Sequence, residues 1–370
     1  MRSLALLGSV LLVLLQWHLV EGVWNMFDFV RPSNDSWGSD GWVSWTKISK
    51  SEGNGPSVVT NSSKFGFSIA NIGDLDGDGF DDLVVGAPGE HSYYILPETN
   101  STTNATIYRN VTEYRSGAVY ILYMNGQGTC NSWTRISGEI GGGPTLYTDE
   151  AFGFSVASVG DIDGDGVQDL AIGAPGALVS SVYVLYMFRN GTAKDSTLIR
   201  GIYEGTVPPQ IVNGTVAVGQ YYPNGPPLRY LSRFGTAVTG LGDWDGDGIP
   251  DMAVSSVTAD GGGSYVYMLF MHRNGTVRSF TTIGDGAGGK IGNPPALEGR
   301  QFVSFGSSLL LFPDMDQDGV PELVVGSKDL DDQDTSHFNS GVVFFCFMHL
   351  NGSMKSHSRI SELAEQVRLG

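Results

Sequence analysis

Cysteine is nearly missing from this chain. Its 370 residues include two, Cys130 and Cys346, too few for a disulfide framework. One lies near a hairpin and the other in an apolar strand, and both read as unpaired thiols. Basic residues are also scarce: 21 Lys and Arg face 39 Asp and Glu, a net charge of −18. No basic patch is visible, which argues against a nucleic-acid partner. The six histidines are scattered, with no pair at helical ligand spacing. There is no Gly-x-Ser-x-Gly elbow, no cysteine–histidine constellation and no Arg-Gly-Asp, so the chain reads as a non-enzyme. After the N-terminus no run approaches the roughly 18 apolar residues of a membrane span. Residues 342–350 are apolar but short and Phe-rich, as in a strand. The polar C-terminus lacks the tail of a lipid anchor.

The one longer apolar run is at the start. Arg2 precedes Leu4 to Leu15, and Val20-Glu21-Gly22 offers a cleavage region, so residues 1–22 read as a secretory signal. The expected location is secreted, or at the cell surface. Nine Asn-x-Ser/Thr sequons fit that compartment: Asn34, Asn61, Asn100, Asn104, Asn110, Asn190, Asn213, Asn274 and Asn351. Asn190, Asn274 and Asn351 also sit in Asn-Gly dipeptides, which favour hairpin turns.

What the chain has in excess is Asp and Gly in one repeated loop. Asp74-Leu75-Asp76-Gly77-Asp78-Gly79-Phe80-Asp81-Asp82 follows Phe65-Gly66 and precedes Gly86-Ala87-Pro88. A second copy, Asp161 to Asp169, lies between Phe152-Gly153 and Gly173-Ala174-Pro175. The third, Asp243 to Asp251, follows Phe234-Gly235, and the fourth, Asp314 to Glu322, follows Phe305-Gly306. Calcium takes six to eight oxygens at roughly 2.3–2.6 Å. Carboxylates at positions 1, 3, 5 and 9, with a carbonyl at position 7, fit that demand. The ligand sets are Asp74, Asp76, Asp78, Phe80 and Asp82; Asp161, Asp163, Asp165, Val167 and Asp169; Asp243, Asp245, Asp247, Ile249 and Asp251; and Asp314, Asp316, Asp318, Val320 and Glu322. The expectation is four Ca²⁺ sites, the fourth weaker because Gln317 and Glu322 replace Gly and Asp. The bland alternative, a solvated acidic turn, does not account for four copies in one frame. Seventeen of the acids lie in these loops, so four bound ions would bring the net charge to about −10. An EF-hand needs a carboxylate at position 12 and a following helix. Here position 12 is Val85, Ile172, Val254 or Val325, within short apolar runs that read as strands.

Each loop sits in the same series of elements. Residues 65–72, 83–86, 117–124 and 133–137 alternate or run apolar as four strands, with Asn125-Gly126 turning the last pair. The series returns over residues 152–200, 234–282 and 305–361, with Phe-Gly spacings of 87, 82 and 71 residues. Four strands at such a period describe a β-propeller blade. Third strands rich in Val, Tyr, Phe and Met read as core between blades. Residues 42–49 resemble the last strand of a further blade, residues 23–41 form a Trp-rich lead, and residues 362–370 a tail with helical character.

The Phe-Gly…Gly-Ala-Pro pattern around D-x-D-G-D-G-x-x-D resembles the FG-GAP repeat of the N-terminal β-propeller of integrin α subunits. The resemblance covers residues 42–361 and is most specific in repeats 1 and 2; repeats 3 and 4 read Ser255-Ser256-Val257 and Gly326-Ser327-Lys328 in place of Gly-Ala-Pro. It implies an all-β propeller with a calcium loop on the lower face of each blade and partner recognition by loops of the opposite face. Family propellers have seven blades and this chain shows four repeats, which leaves two readings: a compact four-blade ring with a spare strand, or an incomplete or truncated propeller, the favoured one, whose open edges would be free to pair with another chain.

Residues 284–291 mimic a phosphate loop, but Ile291 replaces the needed hydroxyl and no helix follows. Two long connections suit recognition. Residues 91–116 carry Tyr93, Tyr94, Tyr108, Arg109, Tyr114 and Arg115, and residues 203–232 carry Tyr221, Tyr222, Arg229 and Tyr230. The leading expectation is a secreted or cell-surface adhesion module for an extracellular protein or glycan. The alternatives are the non-catalytic propeller of a phospholipase-D-like secreted enzyme, and a lectin.

Overall fold

The protein is described here by a computed structural model covering residues 46–99, 106–176, 180–200, 202–203, 209–212, 215–218, 225–228, 232–257, 264–284, 304–328 and 341–360. The signal segment, the lead, Asn34, Asn100, Asn104, Asn213, most of the phosphate-loop mimic and the tail lie outside those residues. Among the described residues there is no helix long and apolar enough to cross a membrane.

Four sheets of four antiparallel strands carry the fold. Blade 1 starts with β1 (Ser68–Gly73) and β2 (Asp82–Ala87). A hairpin of β3 (Ser92–Thr99) and β4 (Thr106–Glu113) is then inserted before β5 (Ala118–Met124) and β6 (Cys130–Ser137). Blade 2 consists of β7 (Ser155–Gly160), β8 (Asp169–Ala174), β9 (Ser181–Met187) and β10 (Ala193–Ile199). Short strands follow: β11 (Ile202–Tyr203), β12 (Pro209–Val212), β13 (Thr215–Val218) and β14 (Pro227–Leu228). Blade 3 is β15 (Phe234–Gly242), β16 (Asp251–Ser256), β17 (Tyr265–Met271) and β18 (Val277–Gly284). Blade 4 is β19 (Phe305–Phe312), β20 (Glu322–Ser327), β21 (Val342–Met348) and β22 (Met354–Ile360). The first strands pack in succession, β1 on β7, β7 on β15 and β15 on β19.

The third strands of blades 1 to 3 are continuous apolar runs because both their faces are covered. Every residue of β5 and β9 is buried. One core lies between blades 1 and 2, around Ile121, Leu170 and Leu185. A second lies between blades 2 and 3, around Ile162, Val184 and Leu269. A third lies between blades 3 and 4, around Trp244, Met268 and Phe344. The phenyl of each Phe-Gly pair meets an aromatic on its own blade's third strand. Phe65 meets Tyr120 at 5.4 Å, Phe152 meets Tyr183 at 5.4 Å, Phe234 meets Tyr267 at 5.8 Å and Phe305 meets Phe344 at 5.5 Å, all edge-to-face. Such pairs add about 0.5–1.5 kcal/mol each beyond the area they bury.

Four expectations need correction. Residues 46–48 form no strand, and Ser49 makes a single bridge to Glu52. The left-handed pair Gly53 (φ 62) and Asn54 (φ 56) turns the chain back too soon for a ladder. Instead Ile48, Val59 and Phe65 cover the outer face of blade 1. The long connection at 91–116 is a β-hairpin in regular register from Ser92↔Glu113 to Thr99↔Thr106, since Tyr, Ile and Thr favour pleated backbone. The connection at 203–232 holds a second hairpin, β12–β13. In the first blade's turn the left-handed glycine is Gly128 (φ 73), two residues after the expected Gly126, and its amide closes on the Asn125 carbonyl at 2.9 Å. Both cysteines are buried and free.

Candidate metal centres

Each acidic loop joins the first two strands of a blade, and position 9 is the first residue of the second strand. That strand is central, so position 9 is buried: Asp82, Asp169 and Asp251 are fully buried and Glu322 nearly so. The carboxylate folds back over the loop. Asp169 accepts from the Ile162 amide (2.9 Å) and, across the sheet, from the Met187 amide (3.0 Å). Asp82 accepts from Leu75 and Met124, and Asp251 from Trp244 and Met271, in the same way. Glu322 accepts from the Met315 amide at 2.7 Å. Burial pushes the Asp169 and Asp251 carboxyls up to about 6, against the pull of their amide donors, and raises Asp82 for the same reason.

Position 1 holds the curl of the loop. Asp74 accepts from the amides of Gly77 (2.7 Å) and Gly79 (2.9 Å), and Asp161 from Gly164 (2.7 Å) and Gly166 (2.7 Å). Asp243 binds Gly246 and Gly248, and Asp314 binds Asp318 and Gly319. At position 7 the amides of Phe80, Val167, Ile249 and Val320 each donate 2.9 Å bonds to the position-5 carboxylate. Position 2 anchors the loop in the core: Leu75, Ile162 and Trp244 are buried, whereas Met315 is half exposed.

Each loop brings three carboxylate oxygens within 4.8 Å of one another, but the sets differ. Loop 1 gathers Asp74, Asp76 and Asp78. The other loops gather positions 1, 3 and 9: Asp161, Asp163 and Asp169; Asp243, Asp245 and Asp251; and Asp314, Asp316 and Glu322. Asp165, Asp247 and Asp318 stand apart from these sets and pair with cations the sequence reading missed. Lys194 bridges Asp163 (2.7 Å) and Asp165, Arg278 bridges Asp245 and Asp247 (3.2 Å to the latter), and Lys355 pairs with Asp318. A signal was present, since each lies three residues after the glycine of the blade's last turn. Hard, like-charged oxygens converging at this spacing fit an oxygen-seeking divalent cation, and three loops partly satisfy that need with an internal one.

Strand parity sets what lies at each end. The acidic loops and the turns before β6, β10, β18 and β22 share one end of the blades. The β3–β4 hairpin and the connection after β10 leave from the other. At the hairpin's base Ser116 Oγ donates to Ser92 Oγ (2.8 Å) and Arg115 pairs with Asp149 (2.5 Å), while Tyr114 remains 59% exposed. Asn61, Asn190, Asn274 and Asn351 are exposed, and Asn110 lies in β4. The Oδ1 of Asn190, Asn274 and Asn351 accepts from the hydroxyl two residues on: Thr192, Thr276 and Ser353.

An FG-GAP repeat model matches residues 65–122 and 152–185. Over 200 residues the chain is 33% identical to Integrin alpha-PS2 of Drosophila melanogaster, covering 53% of this chain and 12% of that protein. It is 34% identical over 194 residues to Integrin alpha-3 of Cricetulus griseus, covering 52% and 14%, and 29% identical over 198 residues to human Integrin alpha-6, covering 53% and 13%. The aligned stretch is thus about an eighth of the length of these curated relatives.

Proposed function

We propose that this FG-GAP repeat chain, integrin-α-like over half its length, is an extracellular interaction module built on blades stapled by Ca²⁺. The observation that carries it is the division of labour between the two ends of the blades. One end holds four acidic loops pinned into the cores, and the β3–β4 hairpin and the connection after β10 leave from the other. Positions 1, 3, 5 and 9 and the position-7 carbonyl of each loop would hold the ion. Its chemistry is electrostatic: it neutralises gathered carboxylates and ties the loop to the buried start of the second strand. Recognition of a protein or glycan then belongs to the opposite end. A signal at residues 1–22 and glycans on the exposed Asn-Gly turns complete this reading, since those turns leave the asparagine side chain in solvent.

The test is thermal unfolding with and without a chelator, followed by binding to arrays of matrix proteins and glycans. Extracellular calcium sites have Kd of about 10⁻⁴–10⁻³ M. At 1 mM calcium a site at the tight end adds about 1.4 kcal/mol, so several sites should raise Tm by several degrees. Binding only in calcium, lost when the hairpin tip is deleted, supports the reading. An unchanged melt with no calcium found by elemental analysis sinks the metal, and turnover of a phosphodiester substrate by the purified chain sinks the non-catalytic role.

A further inference from the structure

We propose that Lys194, Arg278 and Lys355 are internal cations that compete with the metal, and so leave loop 1 as the calcium site of highest affinity. The inference rests on the calcium reading above and assigns an order to its four sites.

The placement comes from one backbone device used four times. In each blade the ladder between the third and fourth strands slips by one residue. Asp195 pairs with Tyr186 and Ala193 with Met187, which leaves Lys194 unpaired between them. The same slip leaves out Arg278, Lys355 and, in blade 1, Asn131. A bulge re-aims the side chain of the unpaired residue. Here three of the four side chains reach the acidic loop of their own blade. Lys194 lies 2.7 Å from Asp163 and also pairs with Asp165. Arg278 pairs with Asp245 and reaches Asp247 at 3.2 Å, and Lys355 pairs with Asp318. Asn131 instead accepts a bond from Asn125 Nδ2 at 2.9 Å. No Lys or Arg among the described residues pairs with Asp74, Asp76 or Asp78.

The carboxylates respond accordingly. Only in loop 1 does the position-5 carboxylate, Asp78, join positions 1 and 3 within 4.8 Å. In loops 2 to 4 position 5 is engaged by the cation, and the close set is completed by the buried position 9. Blades 2 and 3 add a further positive charge at the rim, since Arg189 donates to the Gly166 carbonyl (3.1 Å) and Arg273 to the Gly248 carbonyl (3.3 Å). For a metal to enter loops 2 to 4 an ammonium or guanidinium must leave, or must remain beside a divalent ion. Half-exposed pairs of this kind are themselves weak, so they do not close the sites; they lower the sites' charge. One unit charge within about 4 Å of the ion, screened by solvent, corresponds to a change of about tenfold or more in affinity.

The test is calcium titration calorimetry on the full chain after chelation, with Tm followed in parallel. The wild-type chain should show one tight site and a weaker class, and Asp74→Asn should remove the tight one alone. Asn131→Lys should weaken the tight site about tenfold, while Lys194→Asn, Arg278→Asn and Lys355→Asn should each move one weak site about tenfold tighter. All four are exchanges of polar, solvent-contacting side chains, and circular dichroism checks the fold of each. Four equal sites indifferent to these exchanges overturn the order of affinities and leave the calcium reading standing. Absence of calcium heat and of any Tm response in every chain overturns both.

Discussion

Asp169 and Asp251 concentrate the cost of building an acidic loop onto a core strand. Each carboxyl is fully buried, and burial holds it near a pKa of about 6 against an ordinary 3.8. An acid raised in the folded state is more favourably protonated there than in the unfolded chain. Without metal, stability is therefore fully present below about 4 and is lost as pH rises through about 6. A shift of this size corresponds to about 2–3 kcal/mol per group. In chelator, the Tm of the wild-type chain should fall between about pH 4 and 6 relative to Asp169→Asn, which cannot ionise. Calcium at saturation should remove that difference, because the ion favours the ionised form. Equal pH slopes for the two chains in chelator would rule out desolvation of Asp169 as a stored cost. The carboxylates themselves were legible from the Asp–Gly alternation. Their unequal burial was not, because it depends on the third strand lying beside position 9.

At the scale of elements, the Phe-Gly and Gly-Ala-Pro signatures are the two sides of a seam between neighbouring blades. A Cβ on Gly86 would stand 2.0 Å from the Gly153 carbonyl oxygen of blade 2, and one on Gly173 2.1 Å from the Gly235 carbonyl of blade 3. Ser68 Oγ and Ser155 Oγ donate to those same carbonyls at 2.9 Å. The seam between blades 3 and 4 is made differently. There Ser255 replaces the glycine, and its hydroxyl binds the Ala237 amide within its own blade at 2.9 Å. Gly153→Ala combines a left-handed φ of 86 with a Cβ only 2.5 Å from the Ala118 carbonyl oxygen. It should destabilise by about 3 kcal/mol, from strain and overpacking together. Gly166→Ala has a similar φ of 84 but open space around its Cβ, and should cost only about 1 kcal/mol. Urea unfolding of the two chains checks the contrast; equal losses would refute the seam. The strands were readable because they are strongly apolar. The β3–β4 hairpin was read as a loop because its polar and aromatic alternation resembles a recognition loop as much as a strand pair.

For the assembly of blades, the ties between neighbours among the described residues run in one series from blade 1 to blade 4. Thr134 Oγ1 donates to the Asn190 carbonyl of the next blade (3.3 Å), Thr197 to Asn274 (2.9 Å) and Thr281 to Asn351 (3.1 Å). Trp244 of loop 3 is buried against blade 4 and donates to the His349 carbonyl at 3.2 Å, whereas its counterpart Met315 is 50% exposed. Along β21, Val343, Phe345 and Phe347 are only half buried, where β5 and β9 are buried throughout. Among the described residues nothing covers that face as a following blade would. Contiguous apolar surface of this kind drives association. The chain is expected to self-associate with rising concentration in sedimentation velocity, and Phe345→Glu with Phe347→Glu should shift it to monomer. A wild-type chain monomeric at every concentration counts against an open blade face.

The order of strands, the four acidic loops and the blade repeat were written into the sequence, because each depends on short-range chemistry. Asp and Gly curl a loop, and β-branched and aromatic runs make strands whatever lies around them. Tertiary structure alone decided which carboxylates converge, which side chains the bulges turn towards them and which apolar faces the described residues cover. Lys194 and Asp165 are 29 residues apart, and a bulge between two strands brings them together. Met315 and Trp244 occupy the same place in their loops, and only the presence of a neighbouring blade buries one and exposes the other.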